Sequence, residues 1–143
     1  SSFIDNIAFG ENAENIDFER IKECCKKVDL HDFIDSLPLN YRTNLGENGD
    51  KLSGGQIQRV GLARALYKKS SVMVIDEGTS ALDMETEKRI MNSLLSEENK
   101  TLILVAHRLD TLRSCDDVFM LGDGKIMKKY SKKDFSQFLE NQN

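Results

Sequence analysis

Proline occurs once in the 143 residues, at Pro38, and tryptophan is absent. A single proline leaves no room for a Pro-rich linker, and no internal repeat or low-complexity tract divides the chain. The three cysteines, Cys24, Cys25 and Cys115, are odd in number and include one adjacent pair. That is no disulfide framework; it fits a reducing compartment, with packing as the expected role. No apolar run approaches the ~20 residues that cross a bilayer, and no secretory leader opens the chain. Positive charge is not in excess either. The formal net charge of -4 argues against a nucleic-acid binder, because phosphate contacts need clustered Lys and Arg. It leaves room for one small phosphorylated ligand held by backbone amides. The chain begins Ser1-Ser2 rather than Met, as expected of a piece cut from something longer.

Apolar residues make up 39% of the sequence, enough for one compact core. Residues 1–10 are short and mixed. Asp17 is placed to cap a helix whose apolar positions are Phe18, Ile21, Cys25 and Val28. A helical turn over 31–34 is broken at Leu37-Pro38-Leu39, since proline disfavours helix at the residue before it. Residues 43–51 form a polar loop holding Gly46 and Gly49. A helix is expected over 54–69, with Ile57, Val60, Ala63, Leu66 and Tyr67 on one face.

Val72-Met73-Val74-Ile75 is a continuous, β-branched apolar run, the pattern of a parallel strand buried on both faces. Asp83 can cap the next helix, whose face carries Ile90, Met91, Leu94 and Leu95, and residues 101–106 read as a second such strand. Segments 118–121 and 125–127 flank Gly122-Asp123-Gly124 as a hairpin. Phe135, Phe138 and Leu139 mark a last helix. The first half is therefore mostly helical, and the second alternates strand and helix. This predicts an α/β fold with a helical subdomain over 1–69 and part of an α/β core over 70–143.

Three stretches carry chemistry. In Leu52-Ser53-Gly54-Gly55-Gln56, Ser53 and Gln56 match a capping box. The glycines let a ligand approach the backbone, and the helix N-terminus that follows favours an anion. Taken alone this is equally an ordinary capped helix. Asp76 and Glu77 directly follow an apolar strand, where α/β proteins bind ligands. Asp76 is placed to hold Mg²⁺ through water, and Glu77 to orient or deprotonate an attacking water. Alone, the pair is more often a solvated acidic turn. His107 follows the second strand and could hydrogen-bond a terminal phosphate; a lone histidine there is more often structural. His31 has no supporting motif.

The order of these pieces is more specific than any one of them. LSGGQIQRVGLARAL, VMVIDEGTSALD and TLILVAHR together resemble the nucleotide-binding domain of ATP-binding-cassette proteins over nearly the whole chain. Leu52, Ser53, Gly54, Gly55 and Gln56 match the family signature. Val72 to Glu77 match the Walker B strand and its catalytic glutamate. Ser80, Ala81, Leu82 and Asp83 match the D-loop, and His107 the switch histidine. Residues 43–49 and 2–10 resemble stretches of the exporter type, the former contacting the transmembrane part. Gly78 stands where the family usually has Ala, and Asn48 where it often has Arg; neither has an assigned chemical role.

The resemblance implies a partial P-loop NTPase core, ATP and Mg²⁺ as ligands, and ATP hydrolysis coupled to export. It also implies a transmembrane domain and a second nucleotide-binding domain as partners, no nucleic acid, and a place at the cytoplasmic face of a membrane. In the family, two domains sandwich two ATP molecules. The signature then serves the partner's ATP, while Asp76, Glu77 and His107 serve the chain's own. Gly-x-x-x-x-Gly-Lys-[Ser/Thr], the loop that cradles phosphates, occurs nowhere in the sequence. The adenine-stacking aromatic, the Q-loop glutamine and the N-terminal strands of the core are likewise expected upstream of Ser1.

Two other classes stay open here: a soluble ATPase of the same superfamily, and a truncated, non-catalytic interaction module. The first carries coiled-coil or DNA-binding insertions, and the sequence has no heptad run or basic stripe. Without the upstream strands, one side of the sheet is expected to be uncovered and apolar, and the isolated chain to self-associate. Sedimentation checks this; a sharp monodisperse monomer contradicts it.

Overall fold

The computed structural model describes residues 1–46 and 52–141. The helices are α1 (Phe3–Ile7), α2 (Phe18–Lys27), α3 (His31–Asp35), α4 (Gly54–Tyr67), α5 (Met84–Leu95) and α6 (Lys132–Glu140). The strands are β1 (Val72–Asp76), β2 (Thr101–Val105), β3 (Asp117–Gly122) and β4 (Lys125–Ser131). Strand β1 lies between α4 and α5 in the chain and β2 follows α5. Short 3₁₀ segments occur at Ala13–Asn15, Asn40–Arg42 and Leu109–Ser114.

The helix starts follow the expected capping chemistry. The Asp17 side chain accepts from the Arg20 amide at α2, and Asp83 from the Thr86 amide at α5. At α4, Ser53 Oγ accepts from Gln56 N at 3.2 Å while Gln56 Oε1 accepts from Ser53 N at 2.8 Å, which is the full reciprocal box. Helix α1 was not legible as a helix, yet Ser2 and Asp5 form the same box around its first turn. Helix α4 stops at Tyr67, short of the expected Lys69, where the backbone turns to φ +55. Arg20 of α2 takes over there, donating to the carbonyls of Tyr67 at 3.1 Å and Leu66 at 2.9 Å. A cation at a helix C-terminus satisfies orphan carbonyls and complements the dipole. In return, the Tyr67 hydroxyl accepts from the Asp17 amide at 3.0 Å. The start of α2 and the end of α4 thus clasp each other.

The main core runs from Phe3 to Leu94 and draws on both sides of position 69. Phe3, Ile21, Leu30, Ile34, Leu66 and Ile90 are fully buried in it. Ile57 and Phe18, expected on buried faces, are instead exposed. Cys24 and Cys25 are free and buried, and burial pushes the Cys25 thiol up to about 12. They are packing residues with little thiolate character.

Strands β1 and β2 pair in parallel, from Val72 opposite Thr101 to Asp76 opposite Val105. Only one face of this pair is covered. Met73 and Ile75 enter the main core, with Leu102 and Leu104 packed against it, while Val74 is 63% and Val105 50% exposed. The expectation of strands buried on both faces, drawn from the continuous run, is corrected: in the described residues the second apolar face is open to solvent, and the expectation of one uncovered, apolar side is met. The continuous run reads the same whether its second cover lies in the chain or not, because alternation is absent in either case.

Strands β3 and β4 form the expected antiparallel hairpin, longer than the sequence indicated. At its tip Asp123 (φ +48) and Gly124 (φ +71) both adopt left-handed backbone, the two-residue turn that matches strand twist. Val118, Tyr130, Phe135 and Leu139 build a second, smaller core between the hairpin and α6.

The departure at Gly78 has a packing reason. A Cβ there would lie 2.8 Å from Ile75 Cγ2 and 3.8 Å from Leu62 Cδ2. The β-branched residue at 75 therefore excludes alanine at 78 without a local shift. Gly78→Ala is expected to destabilise the fold by about 1–3 kcal/mol, and Ile75→Leu, which removes the branch, to recover most of the loss. Thermal unfolding of the two single variants and the double variant measures both effects.

Candidate active site

The parallel register places the carboxyl ends of β1 and β2 side by side, with Asp76 opposite Val105. Glu77 leaves β1 with φ +50, in the left-handed region. For a non-glycine residue this costs ~1–2 kcal/mol, so surrounding contacts must hold it. Its amide donates to Val105 O at 3.0 Å, and its carbonyl accepts from the Ser80 amide at 3.1 Å. The turn aims the side chain across to the end of β2. Glu77 Oε1 there accepts from His107 Nε2 at 2.6 Å. Both side chains are open to solvent, Glu77 at 49% and His107 at 83%. Asp76 is exposed next to them, and its carboxylate takes no hydrogen bond among the described residues.

Ser80, Ala81, Leu82 and Asp83 continue from this turn. Leu82 is buried and its amide donates to Thr79 O at 3.0 Å. The Asp83 carboxyl is held below its usual range by the backbone amide of Thr86, as an N-cap should be. The signature residues lie against the same segment. A Cβ on Gly55 would come within 3.2 Å of both Ala81 O and Leu82 Cδ2. The absence of a side chain at 55 thus serves close packing on residues 81–82 of the same chain. Ser53 bonds only around its own cap among the described residues. Leu52 packs against the main core. Residues 47–51 lie outside the described residues, and with them Asn48 and Gly49 of the exporter-like stretch.

Two groups of residues at the site were not singled out from the sequence. The first is Gln58 on α4, which bonds to Glu77, Ser80 and Ala81. The second is a network around Glu87, which is only 7% exposed. Its Oε1 accepts from Thr79 Oγ1 at 2.6 Å and Thr111 Oγ1 at 3.1 Å, and its Oε2 from Arg108 Nη1 at 2.9 Å. Arg108 also donates to Leu82 O at 3.2 Å and Ser80 O at 3.4 Å. One buried carboxylate therefore joins α5, the segment 79–82 and the residue after His107. The sequence signal was faint: an acidic residue in a helix first turn reads as dipole complement, not as a hub.

Glu77, Ser80, Ala106, His107 and Arg108 line a hollow of ≈ 90 Å³. That is well below the ~300 Å³ of a small-molecule pocket, so the hollow does not by itself enclose a ligand of that size. No group of three or more His, Cys, Asp and Glu that could cage a metal exists among the described residues. No described helix is long and apolar enough to cross a membrane.

The family model for "ABC transporter" matches residues 2–80, more than half of the chain. The chain belongs to the ABC transporter family. It is 44% identical over 124 residues to the "ATP-dependent lipid A-core flippase" of Saccharophagus degradans, covering 86% of this chain and 21% of that protein. It is 42% identical over 129 residues to "ATP-binding cassette sub-family B member 5" of Mus musculus, covering 90% of this chain and 10% of that protein. A solved "bacterial Atm1-family ABC exporter with ATP bound" superposes with a TM-score of 0.86 at 33% identity, over 99% of this chain and 26% of that one. The exporter type and the partial P-loop ATPase fold are thereby shown. The chain spans about a fifth or less of these two curated relatives' length.

The Glu87 network yields a direct test. Removing Arg108, itself half-exposed, leaves the buried Glu87 carboxylate without its charged partner. Arg108→Met is expected to lower stability by about 2 kcal/mol or more. Arg108→Met with Glu87→Met is expected to be less destabilised than the sum of the two single changes. Denaturant unfolding in a double-mutant cycle measures the coupling.

Proposed function

We propose that the chain supplies one wall of an ATP-hydrolysing site and the signature face of a second, within the nucleotide-binding domain of an exporter. The 2.6 Å contact between Glu77 and His107, at the carboxyl ends of two parallel strands, carries this reading. The names of the relatives support it: one is an ATP-dependent flippase, another an exporter with ATP bound.

Glu77 acts as the base. His107 occupies its Oε1 and leaves Oε2 for a water molecule. As that water attacks the terminal phosphorus, its proton passes to Glu77 and the bond to the leaving phosphate oxygen breaks, giving ADP and phosphate. When ATP is bound, the His107 Nε2–H leaves Glu77 Oε1 and donates to the terminal phosphate instead. Mg²⁺ offsets the charge on the phosphates when bound. The exposed carboxylate of Asp76 would hold it, since a single acidic residue suits an ion that keeps several of its waters.

Leu52, Ser53, Gly54, Gly55 and Gln56, at the N-terminus of α4, receive the terminal phosphate of the partner domain's ATP. Ser80, Ala81, Leu82 and Asp83 line the contact between the two domains. Residues 1–69 act as the helical subdomain and 70–143 as part of the catalytic core. The partners are a second nucleotide-binding domain and the exporter's transmembrane domain, at the cytoplasmic face of a membrane. No nucleic acid takes part.

Held by one wall only, Mg-ATP does not bind tightly to these 143 residues, and they do not turn it over. In the full-length protein, Glu77→Gln is expected to lower hydrolysis by at least ~10²-fold while Mg-ATP binding persists. Calorimetry on that variant and on the 143-residue chain measures both points. Near-normal turnover removes Glu77 from the role of base, and tight binding by the chain alone places the phosphates on other residues.

A further inference from the structure

Gln58 lies one turn into α4, two residues after the signature, and its side chain touches nothing on its own helix among the bonds described. Its Nε2 donates to Glu77 O at 3.2 Å and to Ser80 Oγ at 2.9 Å, and its Oε1 accepts from Ala81 N at 3.0 Å. One amide therefore grips three successive features of the turn after β1. The gripped residue with the most demanding backbone is Glu77, held at φ +50. Its carbonyl has two donors, the Ser80 amide and Gln58. The Ser80 amide bond is internal to the turn and moves with it. The Gln58 bond comes from another element, so it fixes the turn relative to α4.

We infer that Gln58 is a positioning residue for Glu77, locking the backbone of the base and the start of the D-loop to the helix that carries the signature. The inference rests on the ATPase reading above. On that reading the signature of this chain and its Glu77 belong to two different ATP sites. Gln58 then makes a mechanical link between them: a displacement of α4 as its N-terminus closes on one ATP reaches the base at the other through a single side chain. The close seat of Gly55 on Ala81 and Leu82 keeps α4 near enough for the amide to span the gap.

The test uses the full-length protein and two variants. Gln58→Glu keeps the side-chain length and an acceptor for the Ala81 amide, but sets oxygen against the Glu77 carbonyl in place of a donor. Gln58→Met keeps the shape and loses all three bonds. Both are expected to lower kcat by about tenfold or more, as small displacements of a reacting group do. KM for Mg-ATP is expected to stay within about twofold, because no group that binds nucleotide is altered. A residue that only supports the fold lowers the thermal midpoint instead, and does not separate kcat from KM. A kcat within about twofold of wild type in both variants overturns the inference. So does a rise in KM that matches the loss in kcat, or failure of both variants to fold, since Gln58 is then a packing residue. If only Gln58→Met fails to fold, Gln58→Glu decides. If the wild-type protein hydrolyses no ATP, the ATPase reading fails. If it does, and Glu77→Gln stops it while the Gln58 variants run normally, only the inference fails.

Discussion

The polar architecture of this chain depends on one backbone torsion, the left-handed φ of Glu77. A strand that continued straight would carry the residue after Asp76 away from β2. The reversal at Glu77 instead returns its amide to Val105 O, sends its carboxylate to His107 and turns its carbonyl toward α4. The same reversal folds Gly78 back onto Ile75, which is why no Cβ fits there. Such a conformation persists because the amide, the carbonyl and one carboxylate oxygen of Glu77 are all bonded, and strain of this kind collects where chemistry needs a fixed geometry.

Behind that turn, the structure places a charge where an apolar side chain would also fill space. Burying Glu87 sacrifices hydration that the Arg108 contact only partly returns, and such pairs often add little net stability. Their value lies in direction. An apolar contact can slide, whereas a carboxylate bonded by Thr79, Thr111 and Arg108 has one satisfactory position. Arg108 extends the constraint to the carbonyls of residues 80 and 82. The loop after β1 and the loop after β2 are thus held in a common frame from below, as Gln58 holds the first of them from the side.

Local features of the fold were legible in the sequence. The caps at Asp17, Ser53 and Asp83 and the Gly-Asp-Gly hairpin tip each declare themselves within four or five residues, while the apolar stripes of α2 and α5 were legible except at Phe18 and Leu95, which are exposed. Asp76, Glu77 and His107 were legible as site candidates because they follow apolar strands, and their meeting follows from parallel pairing. What was not legible depends on partners remote in the chain. Gln58 meets residues 19 to 23 positions away, and Glu87 meets residues 21 and 24 positions further on. By composition, each is an ordinary polar residue on a helix surface. The unbroken apolar runs of the strands did not by themselves reveal which face is covered: Val74 and Ile103 are exposed, and nothing in the described residues covers them. Helix α1 was missed because five residues give too short a window for periodicity, although its capping box was present.

The second core, formed by Val118, Tyr130, Phe135 and Leu139, has a consequence for how the chain opens. It shares no residue with the main core, and its hairpin and helix are contiguous in sequence. Cooperative opening follows such contiguous, self-contained units. Residues 117–140 can therefore open and close as a separate unit while the ends of β1 and β2 stay assembled. In amide hydrogen exchange this gives two classes of protection, with the boundary falling in the 3₁₀ segment Leu109–Ser114, just past the arginine that braces the site.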